Sequence, residues 1–214
     1  FNLCSVAPIV RIPIPSSHYV TMNLDAGAAG ILAPYCESKS EVEEIVGAVK
    51  WKPLKGKLLD DIVKKNIFPS EKSKTYLENL NKNNICIIGI ESVPAIENLE
   101  NILTTKGIDA IFVGPNDLSV SLGIPNEYEN KLYEDALKEI ILKCESANTP
   151  VMIHHQTTDL TNKWIKNGAH FVLYTSDKRT SQNGFIEEFK NIKGTAINLG
   201  KYKSINKNIE EEIV

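Results

Sequence analysis

Ile85-Cys86-Ile87-Ile88-Gly89-Ile90-Glu91-Ser92 and Ala110-Ile111-Phe112-Val113-Gly114-Pro115-Asn116-Asp117 decide how this chain folds. Each is a short run, apolar apart from glycine, that gives way to an acidic residue. Runs that are continuously apolar rather than alternating read as strands covered on both faces, the habit of parallel sheets. Between them Pro94 suits a first helical turn. Ile96, Leu99, Ile102 and Leu103 follow on one face, and Gly107 is placed to end the helix. Strand, helix, strand makes the two runs adjacent and parallel, so Glu91 and Asp117 are expected to emerge close together at one edge of the sheet.

The same grammar extends outward. Pro8–Ile12, Gly30–Ala33, Val151–Ile153 and Phe171–Tyr174 are four further apolar runs. Ser16 or Ser17 can cap a helix running to Gly27. Ser38 precedes a helix with Val42, Ile45, Val46 and Val49 on one face. Leu132, Ala136, Ile140 and Cys144 mark the longest helix of the middle region, and Asp159 can cap one that contains Leu160 and Trp164 and ends at Gly168. Asp25-Ala-Gly-Ala-Ala-Gly-Ile-Leu-Ala-Pro, Thr105-Lys-Gly-Ile-Asp-Ala-Ile-Phe-Val-Gly-Pro and Lys166-Asn-Gly-Ala-His-Phe-Val-Leu-Tyr share one pattern. In each, a helix-ending glycine is followed within a few residues by a buried strand, the short connection of repeated β/α units.

Six such units predict an α/β fold, either a parallel β/α barrel or a doubly wound sheet. A full barrel takes eight strands and about 250 residues, so this chain of 214 residues, which begins at Phe1, is about two units short. From Trp51 to Asn84 the pattern weakens to a Lys-rich, extended connection with one polar helix near Ser73–Leu80. Residues 1–214 read as a single domain. The segment 195–214 reads as a C-terminal tail, or as an arm packed on another subunit.

Composition narrows the function. The chain is 42% hydrophobic and carries a net charge of −3, which gives no reason to expect nucleic acid or an anionic membrane as partner. No apolar stretch approaches the roughly 20 residues that span a bilayer. Arg11 and two prolines interrupt the apolar start, unlike a signal peptide. Cys4, Cys36, Cys86 and Cys144 are scattered and read as reduced thiols of a cytoplasmic protein.

Glu91 and Asp117 are the leading candidates for chemistry. Taken singly, Glu91 could cap the Pro94 helix and Asp117 a turn before Leu118. Together, at the ends of successive strands, they supply two hard oxygen donors and leave the rest of a coordination sphere to water and substrate. That suits Mg²⁺ or Mn²⁺, with Co²⁺ as an alternative, and not a closed zinc site. Arg11 ends the first strand. It could pair with an ordinary acid, or could face the same site and stabilise an oxygen that becomes negative. His154 and His155 end the fifth run, where an imidazole could serve as acid or base or could simply close the strand.

The segments Pro8-Ile-Val-Arg-Ile-Pro, Asn23-Leu-Asp-Ala-Gly-Ala-Ala-Gly-Ile-Leu-Ala-Pro, Ile90-Glu-Ser and Val113-Gly-Pro-Asn-Asp-Leu-Ser-Val-Ser-Leu-Gly resemble the HpcH/HpaI aldolases. These are class II, metal-dependent pyruvate aldolases with a (β/α)₈ TIM-type barrel, and the likeness runs from about Ile9 to Lys178. The resemblance implies a barrel lacking its first one or two β/α units. It also implies a lyase that cleaves a 4-hydroxy-2-oxoacid to pyruvate and an aldehyde, and a homo-oligomer with exchanged C-terminal helices.

It implies roles residue by residue. Glu91 and Asp117 would bind the metal, and Arg11 would stabilise charge on the pyruvate keto oxygen. Gly114, Pro115, Asn116 and Asp117 would hold the pyruvate carboxylate, chiefly through backbone amides. Asp25 would support the basicity of a catalytic histidine that belongs to the part of the family's barrel upstream of the matched segments. Two positions depart from the family pattern. Gly89 stands where the family has glutamine, and Lys52-Pro-Leu-Lys-Gly-Lys57 replaces its Pro-Pro-x-Gly-x-Arg-Gly loop. An acyl-CoA lyase of the malyl- or citramalyl-CoA type would use the same carboxylate pair, and a catalytically silent binding or assembly subunit is the alternative outside enzymes.

Overall fold

Six parallel strands run in chain order across one sheet in a computed structural model, which describes residues 4–200. They are β1 (Ile9–Arg11), β2 (Gly30–Ala33), β3 (Ile85–Ile90), β4 (Ala110–Val113), β5 (Val151–His155) and β6 (Phe171–Tyr174). Each pairs only with its neighbours in sequence. A doubly wound sheet would reverse its strand order at a switch point, so that alternative is set aside in favour of winding in a single direction. The contacts divide the chain into two units, Phe1–Tyr174 and Thr175–Val214, and the sheet belongs wholly to the first.

The helices of the first unit are α1 (Ser17–Asp25), α2 (Lys39–Lys50), α3 (Gly56–Lys65), α4 (Glu71–Asn81), α5 (Val93–Glu97), α6 (Leu99–Leu103), α7 (Pro115–Ser121), α8 (Lys131–Ser146) and α9 (Thr158–Lys166). Ser38 starts α2 with a capping box: its hydroxyl accepts from Glu41 N–H, and the Glu41 carboxylate accepts from Ser38 N–H at 2.9 Å. Ser92 caps α5 and Thr157, rather than Asp159, occupies the cap position of α9. The expected Pro94 helix is broken at Asn98 into α5 and α6. In the second unit α10 (Asp177–Asn198) is a single helix capped by Ser176. Thr195–Asn198 of the expected tail belong to it, and 201–214 lie outside the described residues.

The stretch from Trp51 to Asn84 is more ordered than its composition suggests. It holds two helices, α3 and α4, instead of one. Of the ten residues of α3 only Ile62 is buried, and its first turn lacks a side-chain cap, so little in the sequence marks it. β6 also departs from expectation. It is one of the two edge strands of the sheet among the described residues, and all four of its residues are exposed rather than covered.

The sheet has two unequal faces. One packs against helices, where Ile31, Ile88, Ile90, Ile111, Val113 and Ile153 join Val42, Ile45, Leu99, Ile102 and Leu137 in the main core. Each such side chain contributes about 1.5–3 kcal/mol relative to exposure, so this face carries most of the stability. On the other face Leu32, Ile87, Ala110 and Phe112 form a small cluster with Ile85 and Met152. Arg11 pairs with Leu32, and Leu32 with Ile87, so Arg11 projects from the lightly packed face.

Candidate metal and substrate site

The expected residues stand at the carboxyl ends of separate parallel strands, along one edge of the sheet. Glu91 directly follows β3 and is 3% exposed. Asp117 lies in the first turn of α7, directly after β4 and Gly114, and is exposed to solvent. Arg11 closes β1. Neither carboxylate is a cap: Ser92 performs that role for α5, and Gly114 occupies the position before α7.

Tyr35, which the sequence did not single out, ties these groups together. Its backbone N–H donates to Glu91 Oε2 at 3.1 Å, and its hydroxyl lies 3.5 Å from Asp117 Oδ1. The Arg11 guanidinium sits over its ring, 5.5 Å from the centroid. Tyr35 does this from a left-handed backbone, φ +57°, just past Ala33 and Pro34. Tyrosine rarely adopts that conformation, and the surrounding contacts must hold it there.

Two glycines allow the close approach of these groups. At Gly114 an added Cβ would stand 2.3 Å from Glu91 Oε1, so the carboxylate lies in space that any other residue would fill. At Gly89 it would meet Pro34 Cα at 3.0 Å and the Ala33 carbonyl oxygen at 3.1 Å. The turn that carries Tyr35 therefore passes where a larger residue at 89 would project.

Electrostatics at Glu91 are in tension. Burial raises its pKa above the usual carboxylate value, the Tyr35 N–H lowers it, the nearby Asp117 charge raises it, and Arg11 lowers it. Among the described residues no lysine or arginine forms an ion pair with it. A buried acid in that position must hold a proton or acquire a cation. A second carboxylate near it, Asp117, exposed to solvent, completes a donor pair that fits a hard divalent ion with substrate and water filling the rest of its shell. No group of three or more His, Cys, Asp or Glu suited to a metal occurs among the described residues, so a closed cage of such side chains is not offered.

Other expected residues find different settings. Asn116 shares the first turn of α7, and its Oδ1 accepts from the Tyr128 hydroxyl, which also contacts Asn126 Oδ1 at 2.9 Å. The first helical bond there is donated by Leu118 to the Gly114 carbonyl. The N–H groups of Asn116 and Asp117 therefore precede the helical ladder and face the edge. Pro115, having no N–H, starts the helix without losing a bond. It can shape this turn but cannot donate to a carboxylate.

Asp25 does not join the group within the chain. It ends α1, and Lys52 Nζ lies 2.6 Å from its Oδ1. A helix that follows one parallel strand ends near the start of the next, so Asp25 sits at the amino edge of the sheet, opposite Glu91. The Lys52–Lys57 segment, expected to replace a Pro-Pro-x-Gly-x-Arg-Gly loop, begins at that same edge, where Lys52 meets Asp25. A cavity of about 970 Å³ opens there between α1, α2 and α3, lined by Asp25 and Lys52 among others, with no residue of the Glu91 group.

Comparison with known proteins gives this geometry a setting. The HpcH/HpaI aldolase/citrate lyase family model matches residues 1–183. The chain is 29% identical over 171 residues to the 5-keto-4-deoxy-D-glucarate aldolase of Escherichia coli O139:H28, covering 80% of this chain and 66% of that protein. It is 27% identical over 170 residues to the 2-dehydro-3,6-dideoxy-6-sulfogluconate aldolase of Pseudomonas putida, covering 79% and 66%. The chain thus spans just under two thirds of the length of these relatives. Among solved structures, an HpcH/HpaI aldolase from Desulfitobacterium hafniense DCB-2 superposes with a TM-score of 0.74 at 25% identity, covering 90% of this chain and 74% of that one.

Proposed function

The chain belongs to the HpcH/HpaI aldolase/citrate lyase family, and from that premise we propose that it is a divalent-metal-dependent carbon–carbon lyase. Its substrate on this reading is a 4-hydroxy-2-oxoacid of the keto-deoxy sugar acid type, released as pyruvate and an aldehyde. The six strands are read as part of a (β/α)₈ barrel. The observation that carries the proposal is the buried Glu91, which forms no ion pair with lysine or arginine among the described residues and lies over Gly114 with Asp117 near it.

Glu91 and Asp117 would hold Mg²⁺ or Mn²⁺, which when bound supplies Lewis-acid polarisation of an oxoacid carbonyl. The chain's own residues divide the remaining work. The Asn116 and Asp117 N–H groups face the substrate carboxylate and fix its orientation. As the C3–C4 bond breaks, its electron pair moves toward the C2 carbonyl, the 4-hydroxyl loses its proton and the aldehyde forms. The Arg11 guanidinium shares the charge that develops on the keto oxygen. The Tyr35 N–H holds the Glu91 carboxylate in place.

The reading is tested with 4-hydroxy-2-oxoacids of the sugar-acid type, following pyruvate release. Activity is expected to vanish on chelation, to return with Mg²⁺ or Mn²⁺, and to be absent from Glu91→Ala throughout. Turnover that resists chelation would overturn it.

A further inference from the structure

Tyr35 is an unusual residue for its position. It is 45% exposed at the carboxyl edge of the sheet, and its backbone is left-handed, where glycine or asparagine would sit with less strain. Either of those residues would make the same main-chain bond to Glu91. What a tyrosine adds is the ring beneath Arg11 and the hydroxyl near Asp117. Strain retained at a site points to the contacts that hold it there.

Those contacts fall on one oxygen of each carboxylate. The backbone N–H donates to Glu91 Oε2 at 3.1 Å, and the O–H donates to Asp117 Oδ1 at 3.5 Å, the long end of hydrogen bonding. Among the described residues no hydrogen bond reaches Glu91 Oε1 or Asp117 Oδ2. The two acids are near enough for the charge of Asp117 to raise the Glu91 pKa. The pair therefore offers one free oxygen from each acid rather than two chelating carboxylates.

That count discriminates between cations. Mg²⁺ demands a near-octahedral shell at about 2.0–2.1 Å, keeps several waters, and is well served by single oxygens from one or two acids. Mn²⁺ shares the octahedral preference. Ca²⁺ is larger, gathers about 6–8 oxygens and readily binds a carboxylate through both of them. A donor already on the second oxygen of each acid opposes the two-oxygen mode and leaves the single-oxygen mode untouched. The Arg11 guanidinium over the ring, 5.5 Å from its centroid, restrains the phenol from swinging away.

We propose that Tyr35 is the positioning residue that sets the cation preference of this site. Its N–H and O–H hold one oxygen of each acid, so that Mg²⁺ or Mn²⁺ is taken in preference to Ca²⁺. The inference rests on the metal-dependent reading above, and adds to it a residue that touches both acids without being a ligand itself. Hydrogen bonds to ligating carboxylates are worth about 10–100-fold in metal affinity, the size of effect asked of the Tyr35 O–H.

Calorimetric titration of Mg²⁺ and of Ca²⁺ into the wild type and Tyr35→Phe tests this. The variant keeps the N–H and the ring and removes only the O–H. Its Mg²⁺ affinity is expected to fall by about tenfold or more while its Ca²⁺ affinity holds or rises, so the preference shrinks by at least about tenfold. A purely structural role would weaken both cations alike. Tyrosine labelled with ¹³C at Cζ gives a second reading: the resonance missing from Tyr35→Phe is expected to move when Mg²⁺ is added to the wild type. A wild type that prefers Ca²⁺, a preference unchanged in the variant, or an unmoved resonance overturns the role of Tyr35 and leaves the metal-dependent reading standing. A wild type that binds neither cation overturns both.

Discussion

The backbone N–H of Tyr35 donates to Glu91 Oε2 over 3.1 Å, from a residue held at φ +57°. The bond matters because Glu91 is buried and forms no ion pair with lysine or arginine among the described residues. It also works through the main chain, so the side chain of Tyr35 is free to lie beneath Arg11 and to approach Asp117.

That division of labour predicts opposite outcomes for two substitutions. Tyr35→Gly keeps the N–H and accepts the left-handed backbone, so its stability is expected to differ from wild type by less than about 1 kcal/mol. Tyr35→Pro removes the N–H and imposes φ near −65°, at a cost of about 3 kcal/mol or more. Thermal melts should separate them by roughly 6–12 °C for a domain of this size.

Gly114→Ala addresses the close approach itself. Its methyl group would stand 2.3 Å from Glu91 Oε1, and the carboxylate must leave the space it occupies. Overpacking of this kind costs about 1–3 kcal/mol. The expected result is divalent-cation affinity reduced by about tenfold or more, measured by titration calorimetry, with far-UV circular dichroism unchanged.

Glu91→Gln is expected to melt higher than wild type without cation. The folded state raises the Glu91 pKa above its usual 4.5, chiefly by burial. The stability associated with the protonated acid is therefore present below 4.5 and lost as pH rises through the folded value. Gln carries no such penalty. The melting advantage of the variant should fade as pH falls toward 4.5, and Mg²⁺ should raise the melting temperature of the wild type alone.

How much of this was legible in the sequence follows from what each element must satisfy. Gly30–Ala33, Ile85–Ile90, Ala110–Val113 and Phe171–Tyr174 appear with the bounds their apolar runs predict. For the first three, burial on both faces dictates the residues directly. β6 formed without that burial, so its run gave the right strand for an incomplete reason. α3 escaped because one buried Ile62 leaves too narrow a stripe to see. Tyr35 left no signal because its bond to Glu91 is made by the backbone, which nearly every residue type can offer. The position of Asp25 could have been foreseen, since a helix end feeds the start of the next strand and not the edge where Glu91 emerges.

Arg11→Ala should couple metal affinity more steeply to pH. The guanidinium is one of two influences that lower the Glu91 pKa, and without it Glu91 retains its proton to higher pH. Protons then compete with the cation over a wider range. The affinity deficit of the variant is expected to grow as pH falls toward the ordinary carboxylate range, because without Arg11 the proton competes with the cation from a higher pH. A deficit independent of pH would show that Arg11 acts on the substrate alone.

Titration calorimetry of pyruvate, with Mg²⁺ and again with excess chelator, on the wild type and on Glu91→Ala tests the central claim most directly. The account predicts saturable binding by the wild type with Mg²⁺, and none after chelation or in the variant. Equal pyruvate affinity in chelator, or in Glu91→Ala, would contradict it.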